Sequence, residues 1–152
     1  RQQPQQQKRR LTQPSFPALS LTHISLASRA QDYLDALGWA KSIGGYAGLV
    51  GRANANLAVL EKFVAATPWM EFLATDATAR SNTSVCLKIT DLDAAGVKKM
   101  AAILEKEDVA LDVGAYRSAP PGFRIWCGPT VESSDLEALL PWLEWAHAEA
   151  KA

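Results

Sequence analysis

The chain has 152 residues, one ordinary domain in length, and 48% of them are apolar and 21% charged, enough to bury a core. Its 16 basic and 16 acidic residues cancel, which argues against the basic footprint of a nucleic-acid-binding protein. No run reaches the ~20 apolar residues of a membrane span, and no apolar signal-peptide core follows the basic start.

Residues 1–10 hold Arg1, Lys8, Arg9 and Arg10, no acid and many glutamines. Such a segment cannot bury apolar surface, and Pro4, Pro14 and Pro17 interrupt any helix after it. Residues 1–30 therefore read as irregular or disordered. Order is expected from Asp32, where Tyr33, Leu37 and Ala40 fall on one side of a helix over 32–43. Gly44 and Gly45 stop it, since glycine takes the left-handed cap cheaply.

A longer helix follows, with Leu49, Ala53, Leu57, Leu60 and Val64 recurring every three or four residues and Pro68 at its end. The glycines at 44, 45, 48 and 51 fit neither a dinucleotide nor a Walker loop and read as helix punctuation. Residues 70–74 form a short strand candidate and 85–89 a clearer one. Asp91 or Asp93 caps the next helix, whose buried face carries Val97, Met100, Ala101 and Leu104.

A third strand is expected at 109–113, with Val109, Leu111 and Val113 on one side, and a fourth at 123–127. A proline-containing loop, 116–122, joins them. Ser134, Asp135, Leu136 and Glu137 read as a capping box opening the last helix, with Leu136, Leu139, Leu140 and Leu143 as its stripe and Pro141 inside it. Trp142 and Trp145 lie off that stripe. The order predicts an α+β fold: a small, largely antiparallel sheet with helices packed on one face.

Chemistry-bearing residues are few. Cys86 and Cys127 share no CxxC spacing and read as reduced thiols, consistent with a cytoplasmic protein. His23 and His147 have no partner at metal-ligand spacing, and His147 near a helix end reads as favouring the helix dipole. The segment 114–128 stands out. With Phe123, Ile125 and Cys127 facing the helices, Arg124 and Trp126 face away. Arg124 and Arg117 at the two ends of one loop suit an anion, because a guanidinium grips carboxylate or phosphate with two bonds. The competing reading pairs each with a nearby acid, and a close salt bridge would mark Arg124 as structural.

The blocks at 32–37, 39–45, 67–69, 80–88, 114–117 and 122–128, from Asp-Tyr-Leu-Asp-Ala-Leu to Gly-Phe-Arg-Ile-Trp-Cys-Gly, resemble phosphoserine aminotransferases of the bacterial and archaeal branch. The resemblance covers roughly residues 31–152, so the chain is read as a family-unlike segment, 1–30, and an aminotransferase-like C-terminal small domain. It implies the fold-type-I architecture of pyridoxal-phosphate enzymes, a homodimer, a small anionic substrate and a role in serine biosynthesis. The implied reaction moves an amino group between phosphoserine and 2-oxoglutarate. By position Arg124 resembles the arginine that binds the substrate α-carboxylate, and Arg117 one that receives the phosphate or side-chain carboxylate. Tyr116 sits beside it, where some relatives have histidine.

Two departures matter. Lys41, Lys62 and Lys88 match no Schiff-base segment, so no catalytic lysine and no pyridoxal phosphate site are expected in this chain; a large cofactor-binding domain is the expected partner, and the chain alone is expected to be inactive. Gln13, Pro14 and Ser15 only faintly echo the family's cofactor-phosphate segment and lie too far from Asp32. The alternative from another class is a standalone anion-binding or interaction module. Trp39, Trp69, Trp142 and Trp145 are expected to line an apolar patch where the large domain packs.

Overall fold

A computed structural model describes residues 21–152, with side chains from residue 28 onward. The expected disorder of the first segment lies outside these residues up to position 20. The expectation fails for 21–30, which are the first turns of helix α1, Leu21–Ser42. One compact unit ends at Trp39 and a second spans Ala40–Ala152. In the first, Gln31 donates to the Asp35 carboxylate at 2.8 Å, one turn on. Tyr33 and Leu37, expected on one side of the helix, are 65% and 48% exposed.

The second unit opens on the glycine pair. Gly44 and Gly45 have φ of 102° and 64°, so the backbone here takes the left-handed conformation where a side chain is disfavoured. Helix α2, Gly45–Ala66, follows and buries Ala53, Asn56, Leu60 and Phe63. Strands β1, Met70–Phe72, and β2, Ser84–Ile89, come next, then helix α3, Ala94–Lys106, strand β3, Gly122–Trp126, and helix α4, Ser133–Lys151. Asp93, not Asp91, caps α3, accepting from the Gly96 backbone N–H at 2.7 Å.

The sheet is three-stranded and antiparallel, in the order β1-β2-β3. Register puts Met70 opposite Ile89, Phe72 and Phe123 opposite Leu87, and Ile125 opposite Val85. These side chains form one apolar face, and they join Leu60 of α2, Val97, Met100 and Leu104 of α3, and Leu136, Leu143 and Ala146 of α4 in a single core. The α+β layer read from the sequence is the observed fold. The other sheet face carries Glu71 opposite Lys88, Cys86 opposite Arg124, and Ser84 opposite Trp126.

Three local expectations are corrected. No strand forms at 109–113: Asp108 and Asp112 adopt φ of 55° and 52°, which breaks extended backbone, and a lone bridge from Gly114 to Phe123 is all that meets β3 there. The capping box is not used, because the cap lies two residues earlier, at Glu132, with no side-chain cap bond. His147 does more than face a helix dipole. Its side chain is 9% exposed, its ring stacks on Trp69 at 3.8 Å and 7°, and it bonds the Asp91 carboxylate at 2.9 Å. No helix among the described residues is long and apolar enough to cross a membrane.

Candidate anion site on the open sheet face

The parity argument for β3 holds: Phe123 and Ile125 are buried, Arg124 is half-buried and Trp126 is 56% exposed. Gly122 lets the strand begin, because a Cβ there would collide with the carbonyl oxygen of Leu87 on β2. The close approach fixes the register two residues before Arg124. The Arg124 backbone N–H donates to the Val113 carbonyl at 2.8 Å, tying β3 to the preceding loop.

Arg124 was expected to be free of any acid of this chain. Instead its Nη2 donates to Asp112 Oδ2 at 2.8 Å and to the Asp112 carbonyl at 3.3 Å. The cause is the left-handed turn at Asp112, which brings both oxygens of that residue over the strand. This is the close salt bridge that the competing, structural reading of Arg124 requires, although the pair lies at the surface. The Asp112 side chain is 90% exposed and that of Arg124 27%, and such surface pairs contribute ~0–1 kcal/mol. Nη1 and Nε make no hydrogen bond among the described residues, so two donor groups of the fork stay open. The guanidinium lies 5.1 Å from the centre of the Tyr116 ring, a cation–π contact.

The structure therefore brings Arg124 and Tyr116 together. Arg124 opens on a recess of about 290 Å³ shared with Asp112, Trp126 and Asp135. Arg117 lines a different recess of about 420 Å³ with Lys98, Tyr116 and Pro120, and it makes no ion pair among the described residues. Tyr116 is the residue common to Arg117's recess and Arg124's guanidinium.

Sequence reasoning missed Asn56. It is 1% exposed, and its Nδ2 donates to the carbonyls of Cys127, Gly128 and Val131 at 3.0–3.1 Å while its Oδ1 accepts from Ser133 Oγ at 2.7 Å. It ties α2 to the turn that ends β3 and starts α4. A polar residue among the apolar positions of α2 was the available signal.

Both cysteines are free thiols; Cys127 is buried, and burial pushes its pKa up to about 11. Lys151, at 2.8 Å, and then His147 hold the Asp91 carboxyl below the usual carboxylate range. No group of three or more possible metal ligands occurs among the described residues.

These residues do not fit a pyridoxal phosphate pocket. A Schiff-base lysine must stand in a cavity against the cofactor ring, but Lys41, Lys62, Lys88, Lys98, Lys99, Lys106 and Lys151 are all exposed. The Arg124 recess contains no lysine.

No family model matches the chain. A phosphoserine aminotransferase of Methanosarcina mazei is 51% identical over 117 residues, 77% of this chain and 31% of that protein. The one from Methanosarcina barkeri is 52% identical over the same length and shares. The chain thus spans about a third of the length of the curated relatives it matches. A solved phosphoserine aminotransferase from Bacillus circulans subsp. alkalophilus superposes with a TM-score of 0.64 at 17% identity, covering 74% of this chain and 30% of that one. A second, studied for radiation damage of its Schiff base, gives 0.62 at 14% identity with the same coverage. The solved structures support the α+β fold alone; the sequence relatives carry the assignment. The chain belongs to the phosphoserine aminotransferase family and corresponds to its C-terminal portion.

Proposed function

We propose that this chain is the substrate-binding C-terminal domain of a phosphoserine aminotransferase, acting in serine biosynthesis on phosphoserine and 2-oxoglutarate. Arg124 grips the substrate α-carboxylate, Arg117 receives the phosphate or the side-chain carboxylate, and Tyr116 flanks the Arg124 guanidinium. One observation carries the reading: within a chain half-identical to named phosphoserine aminotransferases, an arginine in mid-strand faces out of the core with two of its donor groups unbonded. In this account substrate replaces Asp112 at the guanidinium. The exchange is easy because Asp112 is held only by a surface pair, whereas a carboxylate on the open fork gains two charge-assisted bonds.

Pyridoxal phosphate supplies the electron sink of transamination in this family. In full-length members of the family its lysine and ring partners come from a large domain, and the working enzyme is a cytoplasmic homodimer. The chain on its own is inactive. Incubating it with pyridoxal phosphate, phosphoserine and 2-oxoglutarate should give no glutamate, and borohydride should trap no adduct at one defined lysine. A stoichiometric adduct accompanied by turnover would refute the division of labour between the two domains.

A further inference from the structure

The outer side of α4 carries a feature that the substrate site does not use. Trp142 and Trp145 stand nearly perpendicular, with ring centres 5.5 Å apart and an interplanar angle of 85°. They are 39% and 41% exposed. With Pro141 and Glu107 they line an open recess of about 490 Å³. In this edge-to-face arrangement one indole sets its positive edge toward the other, and the indole face left open to the recess keeps its negative π potential.

The charged residue that lines the recess has the same sign. Glu107 is the C-cap residue of α3, where the carbonyl end of the helix already concentrates negative potential. Its carboxylate has no hydrogen-bond or ion-pair partner among the described residues. Glu105 and Asp108 flank it in sequence, against the single positive charge of Lys106. An acid at the negative end of a helix, left without a partner and facing two tryptophans, is poorly arranged for an apolar neighbour. It is well arranged for a cation that is itself partly apolar.

We propose that the Trp142–Trp145 corner binds a small quaternary ammonium ion. A methylated ammonium suits it better than a bare one, because its charge is spread over methyl groups that sit against indole faces with little desolvation. The methyl groups meet Trp142 and Trp145, and Glu107 supplies a counter-charge at the rim. The recess is within the size range of small-molecule sites, though it is open on one side, so the affinity is in the millimolar range.

The test uses the intact chain and tetramethylammonium chloride as the probe, followed through the indole N–H resonances, with sodium chloride holding ionic strength constant. Binding should be saturable and should move the Trp142 and Trp145 signals while leaving Trp69 unmoved. Trp145→Leu should weaken it about fivefold, as expected for the loss of one cation–π wall. Glu107→Gln should weaken it about twofold to threefold, the scale of an exposed ion pair. Both changes are at surface positions, so each variant's fold can be verified by its unchanged Trp69–His147 stack. 3,3-Dimethyl-1-butanol, the same shape without charge, should bind at least about fivefold more weakly. Equal binding of the neutral alcohol would make the recess an apolar patch and overturn the proposal. So would the absence of saturable shifts at Trp142 and Trp145, or a Trp145→Leu variant that binds as well as the parent.

Discussion

Asn56 shows how much a single buried amide can organise. Three carbonyls from the end of β3 and the turn after it converge on one Nδ2, and Ser133 closes the network from α4. An amide nitrogen has two hydrogens, so one of them is shared between two carbonyls. Replacing the side chain with an apolar isostere leaves those carbonyls to be resolvated or stranded. Each stranded group costs ~1–3 kcal/mol. Asn56→Leu should therefore lower unfolding free energy by about 3 kcal/mol in urea titrations, with little change in the slope of the transition. A loss under about 1 kcal/mol would mean that water replaces the amide there. The neighbouring surface pair between Arg52 and Glu132 contributes far less.

At the scale of elements, the helix faces were legible because their period is explicit. Val97, Met100 and Leu104 on α3, and Leu136 and Leu143 on α4, are buried as spaced. So was the parity of β3. The strand expected at 109–113 was not, because alternation of Val109, Leu111 and Val113 says nothing about the backbone at Asp108 and Asp112. Both take the left-handed conformation that aspartate tolerates and a strand does not. The same turn placed an acid on Arg124, which parity alone could not foresee. Nor could one-dimensional spacing bring Asp91, before α3, to His147 and Lys151 on α4.

That last junction fixes the end of α4 to the end of β2 and makes an acid-sensitive contact. Lys151 and His147 depress the Asp91 carboxyl, so the folded form holds the proton less tightly than the unfolded chain. Its stabilising contribution is complete above the ordinary aspartate value of ~4 and is lost as pH falls below it through the folded-state value. Asp91→Asn should be less stable than the parent at neutral pH, and the gap should close under acid. A gap independent of pH down to about 2 would show that the carboxylate charge contributes nothing at this junction.

At the scale of the whole molecule, the tryptophans divide. Trp69 packs against Phe63 and His147 and belongs to the interior edge, contrary to its expected place in an outward patch. Trp39, Trp142 and Trp145 are exposed as expected, and Trp126, which was not counted among them, is the most open of the set. Membership of the family was readable from short blocks scattered along the chain, because they carry residue identity and not merely polarity. The arrangement of the arginines was readable only in part: Arg124 and Tyr116 meet, while Arg117 opens on its own recess.

The central claim is that Arg124 serves substrate and not the fold. It is tested most directly in a full-length phosphoserine aminotransferase carrying this segment, by comparing Arg124→Ala with Asp112→Ala. Arg124→Ala should lower kcat/KM for phosphoserine and for glutamate by about 10- to 150-fold, the loss of charge-assisted bonds to a carboxylate common to both. Thermal stability should fall by no more than the ~1 kcal/mol of a surface pair, and Asp112→Ala should leave kcat/KM at or above the parent value. Near-normal kinetics in Arg124→Ala with a large loss of stability would contradict the account and make Arg124 a structural partner of Asp112.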